Sequence, residues 1–148
     1  MSGPVTPTDD PGTAAADRPE VCELEVIEGR QAQVGGFAVN RLLPRRARRT
    51  VGPWCFVDHM GPNTVDQANG LDVGPHPHIG LQTVTWLVQG EVLHTDSLGS
   101  EQLVRPGQLN LMTAGRGIAH AEQTSGVHDG ELHGVQLWVA QPSSTREG

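Results

Sequence analysis

Two short stretches carry the side chains best suited to chemistry. His76-Pro-His78 sets two imidazoles two residues apart, and His120-Ala-Glu122 sets an imidazole and a carboxylate at the same spacing. Alternate residues of an extended strand project to one face, about 6–7 Å apart along the backbone. Each pair therefore offers two donors side by side, and two such strands facing a common point bring all four together. Three neutral imidazoles and a carboxylate form a ligand set of mixed hardness that suits zinc, copper, iron or nickel. Held by His76, His78, His120 and Glu122, an octahedral ion keeps positions open for water, dioxygen or substrate. The competing reading takes these residues as ordinary strand positions with no metal. A lone His-x-His favours that reading. Two such pairs, each entered through a Gly/Pro turn or a Gly-rich one, favour a metal.

Other polar and aromatic residues carry less. His59 has no partner at i±2 and reads as structural. His94 reads as a satisfied structural histidine, with a place beside the metal ligands as the sharper alternative. His128 lies in a polar turn and reads as solvated; His133, in the last strand, receives no role. Trp86 and Trp138 read as core rather than as platforms for a substrate. The run Arg45-Arg-Ala-Arg-Arg49 reads as a solvated loop or strand edge, where charge discourages edge pairing.

The elements that must position the four donors are short strands. Alternation or short apolar runs mark Val21–Ile27, Ala32–Asn40, Val51–Asp58, Thr83–Val88, Val92–Ser97, Leu109–Thr113, Ile118–Gln123 and Leu132–Ala140. Gly35-Gly36 suggests a bulge or tight bend inside the second of these. His59-Met-Gly-Pro62 reads as a turn, Asn63–Leu71 as a polar loop, and Gln89-Gly-Glu91 as a hairpin turn. No segment holds a helical period over ten or more residues. The pattern predicts an all-β fold, a jelly-roll sandwich or barrel whose interior can take one small ligand.

The chain has 148 residues, about one domain's worth. Residues 1–20, rich in Pro, Thr, Ala and Asp, read as a disordered tail; 21–140 form the folded unit; 141–148 read as a loose C-terminal tail. The 19 Gly and 11 Pro suit many tight turns. A formal charge of −7, with every basic residue an Arg, argues against sequence-independent binding to phosphate backbones. No apolar run approaches the length of a membrane span and no signal-peptide pattern opens the chain, so a cytoplasmic protein without membrane contact is expected. Cys22 and Cys55 are expected to be free thiols rather than a disulfide.

Gly70 followed by His76-Pro-His78 resembles the first motif of the cupins, and Gly107 to His120 resembles the second. The stretches His76–Thr85, Met112–Glu122 and His133–Val139 together are similar to the pirin family, as are Val51-Gly-Pro-Trp54 and Asp58-His-Met-Gly-Pro62. The likeness runs from about Val39 to Val139. It implies a cupin barrel binding Fe2+, or another divalent transition metal, through His76, His78, His120 and Glu122. It also implies two roles. One is a quercetin 2,3-dioxygenase, an oxidoreductase acting on flavonols, with Glu122 as catalytic base. The other, as in animal members of the family, is an iron-dependent co-regulator in the nucleus; in this acidic chain a protein partner is favoured over direct contact with nucleic acid.

Two departures from the family pattern stand out. Gln82 occupies a position where pirins carry Glu, which is expected to change the charge near the metal. Pirins also have two barrels and about twice this length. The face that meets a second barrel is therefore expected to be exposed, with a homodimer as a substitute.

Overall fold

The computed structural model describes residues 24–124 and 129–147. The tail expected over 1–20 lies outside the described residues, as do Cys22 and His128. Ten strands form: β1 (Arg30–Val34), β2 (Phe37–Leu43), β3 (Trp54–Val65), β4 (Asp72–His78), β5 (Leu81–Gln89), β6 (Val92–Asp96), β7 (Glu101–Val104), β8 (Leu109–Thr113), β9 (Ile118–Gln123) and β10 (Gly130–Ala140). There is no helix among the described residues. A six-stranded sheet in the order β1-β2-β3-β10-β5-β8 faces a four-stranded sheet in the order β4-β9-β6-β7. This is the all-β, two-sheet cupin sandwich expected from the pattern of short strands.

Four local expectations are corrected. Of the opening strand expected over Val21–Ile27, residues 24–27 are irregular and 21–23 lie outside the described residues. Gly35-Gly36 is not a bulge within one strand. It is a two-residue hairpin turn with Val34 opposite Phe37 and φ of 54° and 79°, a conformation that glycine adopts without steric cost. The turn expected at His59-Met-Gly-Pro62 is absorbed into β3, because β10 pairs along the whole of it and skips one register step between Leu132 and Gly134. Gly61 takes φ 73° there, and a Cβ on it would meet the Leu132 carbonyl oxygen at 2.0 Å, so the crossing is closed to other residues. Finally, Gln89-Gly-Glu91 joins no hairpin: β5 and β6 belong to different sheets, and the segment carries the chain across the sandwich.

The space between the sheets divides into an apolar and a polar part. Phe37, Val39, Met60, Leu87, Val92 and Leu132 belong to one continuous buried cluster, with exposures of 6% or less. Each such side chain contributes about 1.5–3 kcal/mol on leaving water. Where β4, β9 and β6 pass each other the interior is polar: His94, His120 and Glu122 are buried on one sheet, opposite Thr83, Thr85 and Gln136 on the other. Asp58, 2% exposed, is also buried, but Arg41 meets it with two hydrogen bonds of 2.7 Å. That guanidinium also lies 5.0 Å over the Phe56 ring.

The outer face of the six-stranded sheet is apolar and open. Trp86 is 41% exposed, Val88 59%, Leu109 60% and Leu111 51%. Trp86 is therefore not core, since it alternates with buried Thr85 and Leu87 and so faces outward. Trp138 is half-buried and meets Phe56 edge-on. The Arg45–Arg49 run is largely exposed, with Arg48 paired to Glu25. Cys55 is a free thiol that donates to the Trp138 carbonyl at 3.5 Å.

Removing one partner of a desolvated ion pair leaves the other charge uncompensated. Arg41→Met should therefore destabilise the chain by about 3 kcal/mol in urea unfolding, while Arg41→Lys should lose less. A loss under about 1 kcal/mol for Arg41→Met, the size of a surface pair, would contradict the role given to this contact.

Candidate metal centre

β4 and β9 run antiparallel with His76 opposite His120 and Val73 opposite Glu122. Val73 and His76 are three residues apart, which in a regular strand points them to opposite faces. One extra residue at Gly74–Pro75 absorbs the odd step, so that Val73 reaches the apolar cluster while His76 and His78 face inward beside His120. The Gly74 carbonyl accepts a hydrogen bond from His76 Nδ1 at 3.0 Å. That contact puts the ring proton on Nδ1 and leaves the Nε2 lone pair free.

The three imidazoles meet. Ring centroids are 4.9 Å apart for His76 and His78, 4.4 Å for His76 and His120, and 4.9 Å for His78 and His120. His78 Nε2 lies 3.0 Å from His120 Nε2. One donor atom from each of the three lies within 4.8 Å of the others.

Glu122 takes a different place in the cluster. It is grouped with His94 and His120 in a second set whose donor atoms also lie within 4.8 Å of one another. β6 pairs with β9 so that His94 faces Glu122 and Asp96 faces His120. His120 thus has a neighbour at each ring nitrogen: Nε2 looks toward His78, and Nδ1 lies 3.4 Å from His94 Nδ1. The Glu122 carboxylate is held from the opposite sheet. Gln136 Nε2 donates to its two oxygens at 2.7 and 2.8 Å, and Thr85 Oγ1 makes a longer contact of 3.4 Å.

Charge and burial act on each group in a definite direction. Burial, reinforced by the nearby His76, His78 and His94, pushes His120 down to about 3, so the ring is neutral at ordinary pH. His78 is lowered by burial and then by His76. Glu122 is raised by burial, against the opposing effects of Gln136, His94, His76 and Thr85. At Asp96 burial pushes upward, yet hydrogen bonds from Ser100 and Leu98, with His94 nearby, hold it below its usual range.

Several residues were not singled out as part of the centre by sequence reasoning. His94, read above as structural, touches His120. Asp96 lies 3.8 Å from His94 Nε2. Their signal was there, since His94-Thr-Asp96 repeats the i, i+2 spacing of the other two pairs. Gln136 was legible only as a lone amide inside an apolar strand.

The charge change expected near the metal from Gln82 is not what the geometry shows. Its side chain bonds Thr113 and Gln141 on the face of β5 away from Thr83 and Thr85. Of the 63–75 segment, Pro75 lines a shallow depression with His120. Asn63, Thr64 and Ala68–Gly70 line a separate groove with Gly35–Ala38.

A family model described as Pirin matches residues 36–139 of this chain. A Pseudomonas aeruginosa protein named "Putative quercetin 2,3-dioxygenase" is 52% identical over 138 residues, covering 91% of this chain and 44% of the relative. A "Pirin-like protein" of Caulobacter vibrioides is 46% identical over 126 residues, covering 82% of this chain and 44% of the relative. A crystal structure of quercetin 2,3-dioxygenase from Acinetobacter baumannii is 53% identical with a TM-score of 0.77, covering 82% of this chain and 40% of that one. The chain spans less than half the length of each of these three relatives.

The two buried groups give opposite pH dependences to the metal-free fold. Between about 3 and the ordinary value of 6.5, the unfolded chain protonates His120 and the folded chain does not, so this contribution is lost as pH falls. Glu122, raised above 4.5, does the reverse: its contribution is present below that pH and is lost as pH rises through the folded value. Glu122→Gln should therefore stabilise the metal-free chain at pH 7 by about 1–3 kcal/mol, with the gain vanishing near pH 4. Urea titrations at the two pH values measure it. A variant no more stable than the parent at pH 7 would sink the picture of a carboxylate destabilised by burial.

Proposed function

The chain belongs to the pirin family, and from that premise we propose that it holds a divalent transition metal, iron first among them, and acts as a flavonol 2,3-dioxygenase. His76, His78, His120 and Glu122 are the proposed ligands. The observation that carries this reading is the meeting of three imidazoles, one of them kept neutral by burial, beside a buried carboxylate with no cationic partner among its described contacts. That donor set fits such an ion: one ring nitrogen from each of the three imidazoles lies within 4.8 Å of the others, and a nearby positive charge relieves the carboxylate. Glu122 and His120 share one face of β9, which sets the carboxylate beside the imidazoles while Gln136 holds it from the facing sheet.

A bound metal of this kind supplies Lewis acidity and open positions for dioxygen and for a substrate oxygen. The remaining work falls to the chain. Glu122, the carboxylate among the proposed ligands, accepts the proton of a flavonol hydroxyl. Gln136 and Thr85 hold that carboxylate in place from the facing sheet. The Gly74 carbonyl fixes the tautomer of His76, and the His94–Asp96 pair supports His120 from its Nδ1 side.

A second reading is favoured by the open apolar face with Trp86, Leu109 and Leu111. In it the metal site is not catalytic, and the chain reports metal state to a protein partner, a second copy of itself included. At −7 the chain suits a protein partner better than nucleic acid.

One experiment separates the readings. The chain is loaded with Fe2+ and its metal measured, then oxygen uptake is followed with quercetin. The dioxygenase reading expects one equivalent of iron, turnover, and loss of both in His120→Ala, with metal affinity down ~100-fold or more. Iron without oxygen uptake would leave the second reading standing, and failure to hold iron would end both.

A further inference from the structure

We propose that His59 and His133 form a second transition-metal site, on the outer face of the six-stranded sheet and separate from the cluster between the sheets. His59 stands on β3 between Asp58 and Met60, both 2% exposed and pointing inward. His133 stands on β10 between buried Leu132 and Gly134. Alternation sends both imidazoles to the opposite face, where each is half-buried. Neither is among the groups that shift His78, His120 or Glu122.

The sheet aims the two rings at each other. His59 pairs with Val135, which makes His133 its diagonal neighbour. The register of β10 slips next to His133 on both sides, against β3 and against β5. The extra residue lies in β3 and in β5, and it bends those strands where they pass His133. The outcome is an Nε2 to Nε2 distance of 3.0 Å, with ring centroids 5.1 Å apart at 82°. His78 and His120 meet in the same way, Nε2 to Nε2 at 3.0 Å with centroids 4.9 Å apart.

An ion about 2.0–2.1 Å from each nitrogen, with the nitrogens 3.0 Å apart, subtends an angle of about 95°. That is close to the right angle of square-planar or octahedral Cu2+ and Ni2+, and tighter than the tetrahedral angle zinc adopts. A plain hydrogen bond between the rings needs one proton on Nε2. Metal binding needs both rings protonated on Nδ1 instead, so that both Nε2 lone pairs face the ion. Metal uptake therefore distinguishes the two. With two protein donors the site leaves several positions to water.

The test is equilibrium dialysis of the full, metal-stripped chain against Ni2+. The parent chain should take up one equivalent more than either His59→Gln or His133→Gln. His120→Ala should lose a different equivalent, and the His120→Ala/His133→Gln double variant should lose both. Circular dichroism checks the fold of each variant, and retention of the His120-dependent equivalent checks the site inside. Equal uptake by the parent, His59→Gln and His133→Gln would overturn the outer site, whatever His120→Ala does. An equivalent lost only in the outer variants would uphold it and would count against the inner cluster as a nickel site.

Discussion

Keeping the His120 imidazole dry at the seam between the two sheets is the constraint on which the rest of this structure depends. His120 is 2% exposed and has His76, His78 and His94 around it. Protonating it would bury a cation among groups of like tendency, so the ring stays neutral and one lone pair stays available. Glu122 beside it faces the reverse difficulty, a buried carboxylate with neutral hydrogen-bond donors. Asp58 in the same sandwich has Arg41 to answer its charge. The contrast between the two carboxylates is informative: one is a finished ion pair, and the other belongs to a cluster rich in lone pairs and short of a cation.

The fold meets that constraint by dividing its interior. Aliphatic side chains of both sheets close one part, and the polar seam occupies the rest. Register does the positioning. The single extra residue at Gly74–Pro75 lets one strand serve both parts, Val73 turned to the apolar cluster and His76 to the histidines. On the other sheet, alternation along β10 sends His133 outward, and the extra residues that β3 and β5 carry past it set it diagonal to His59. β10 lies between β3 and β5 and carries Gln136 inward to Glu122, so the central strand of the large sheet also supports the centre.

Much of this was legible in the sequence because alternation is a strong signal when one face is buried and the other is not. Leu109–Thr113 and Ile118–Gln123 form strands with the bounds read from the pattern, and His76, His78 and His120 come together as their spacing implied. What could not be read depends on pairing partners. Gly61-Pro62 has the composition of a turn, but β10 pairs past it. Gln89-Gly-Glu91 has the composition of a hairpin, but its two strands join different sheets. Trp86 looks like core until its outward register is known. The second donor set, in which His94 and Glu122 share His120, follows from β6 lying next to β9, a neighbour relation that no local pattern contains.

That second set is also where the account is most exposed, since one ion cannot bind both ring nitrogens of His120. X-ray absorption at the metal edge of the iron-loaded chain decides it. The account expects three imidazole nitrogens and a carboxylate oxygen around the ion, with one imidazole lost in His76→Ala and none in His94→Ala. A shell of two imidazoles and a carboxylate, unchanged in His76→Ala and depleted in His94→Ala, would place the ion between His94, His120 and Glu122 and contradict it.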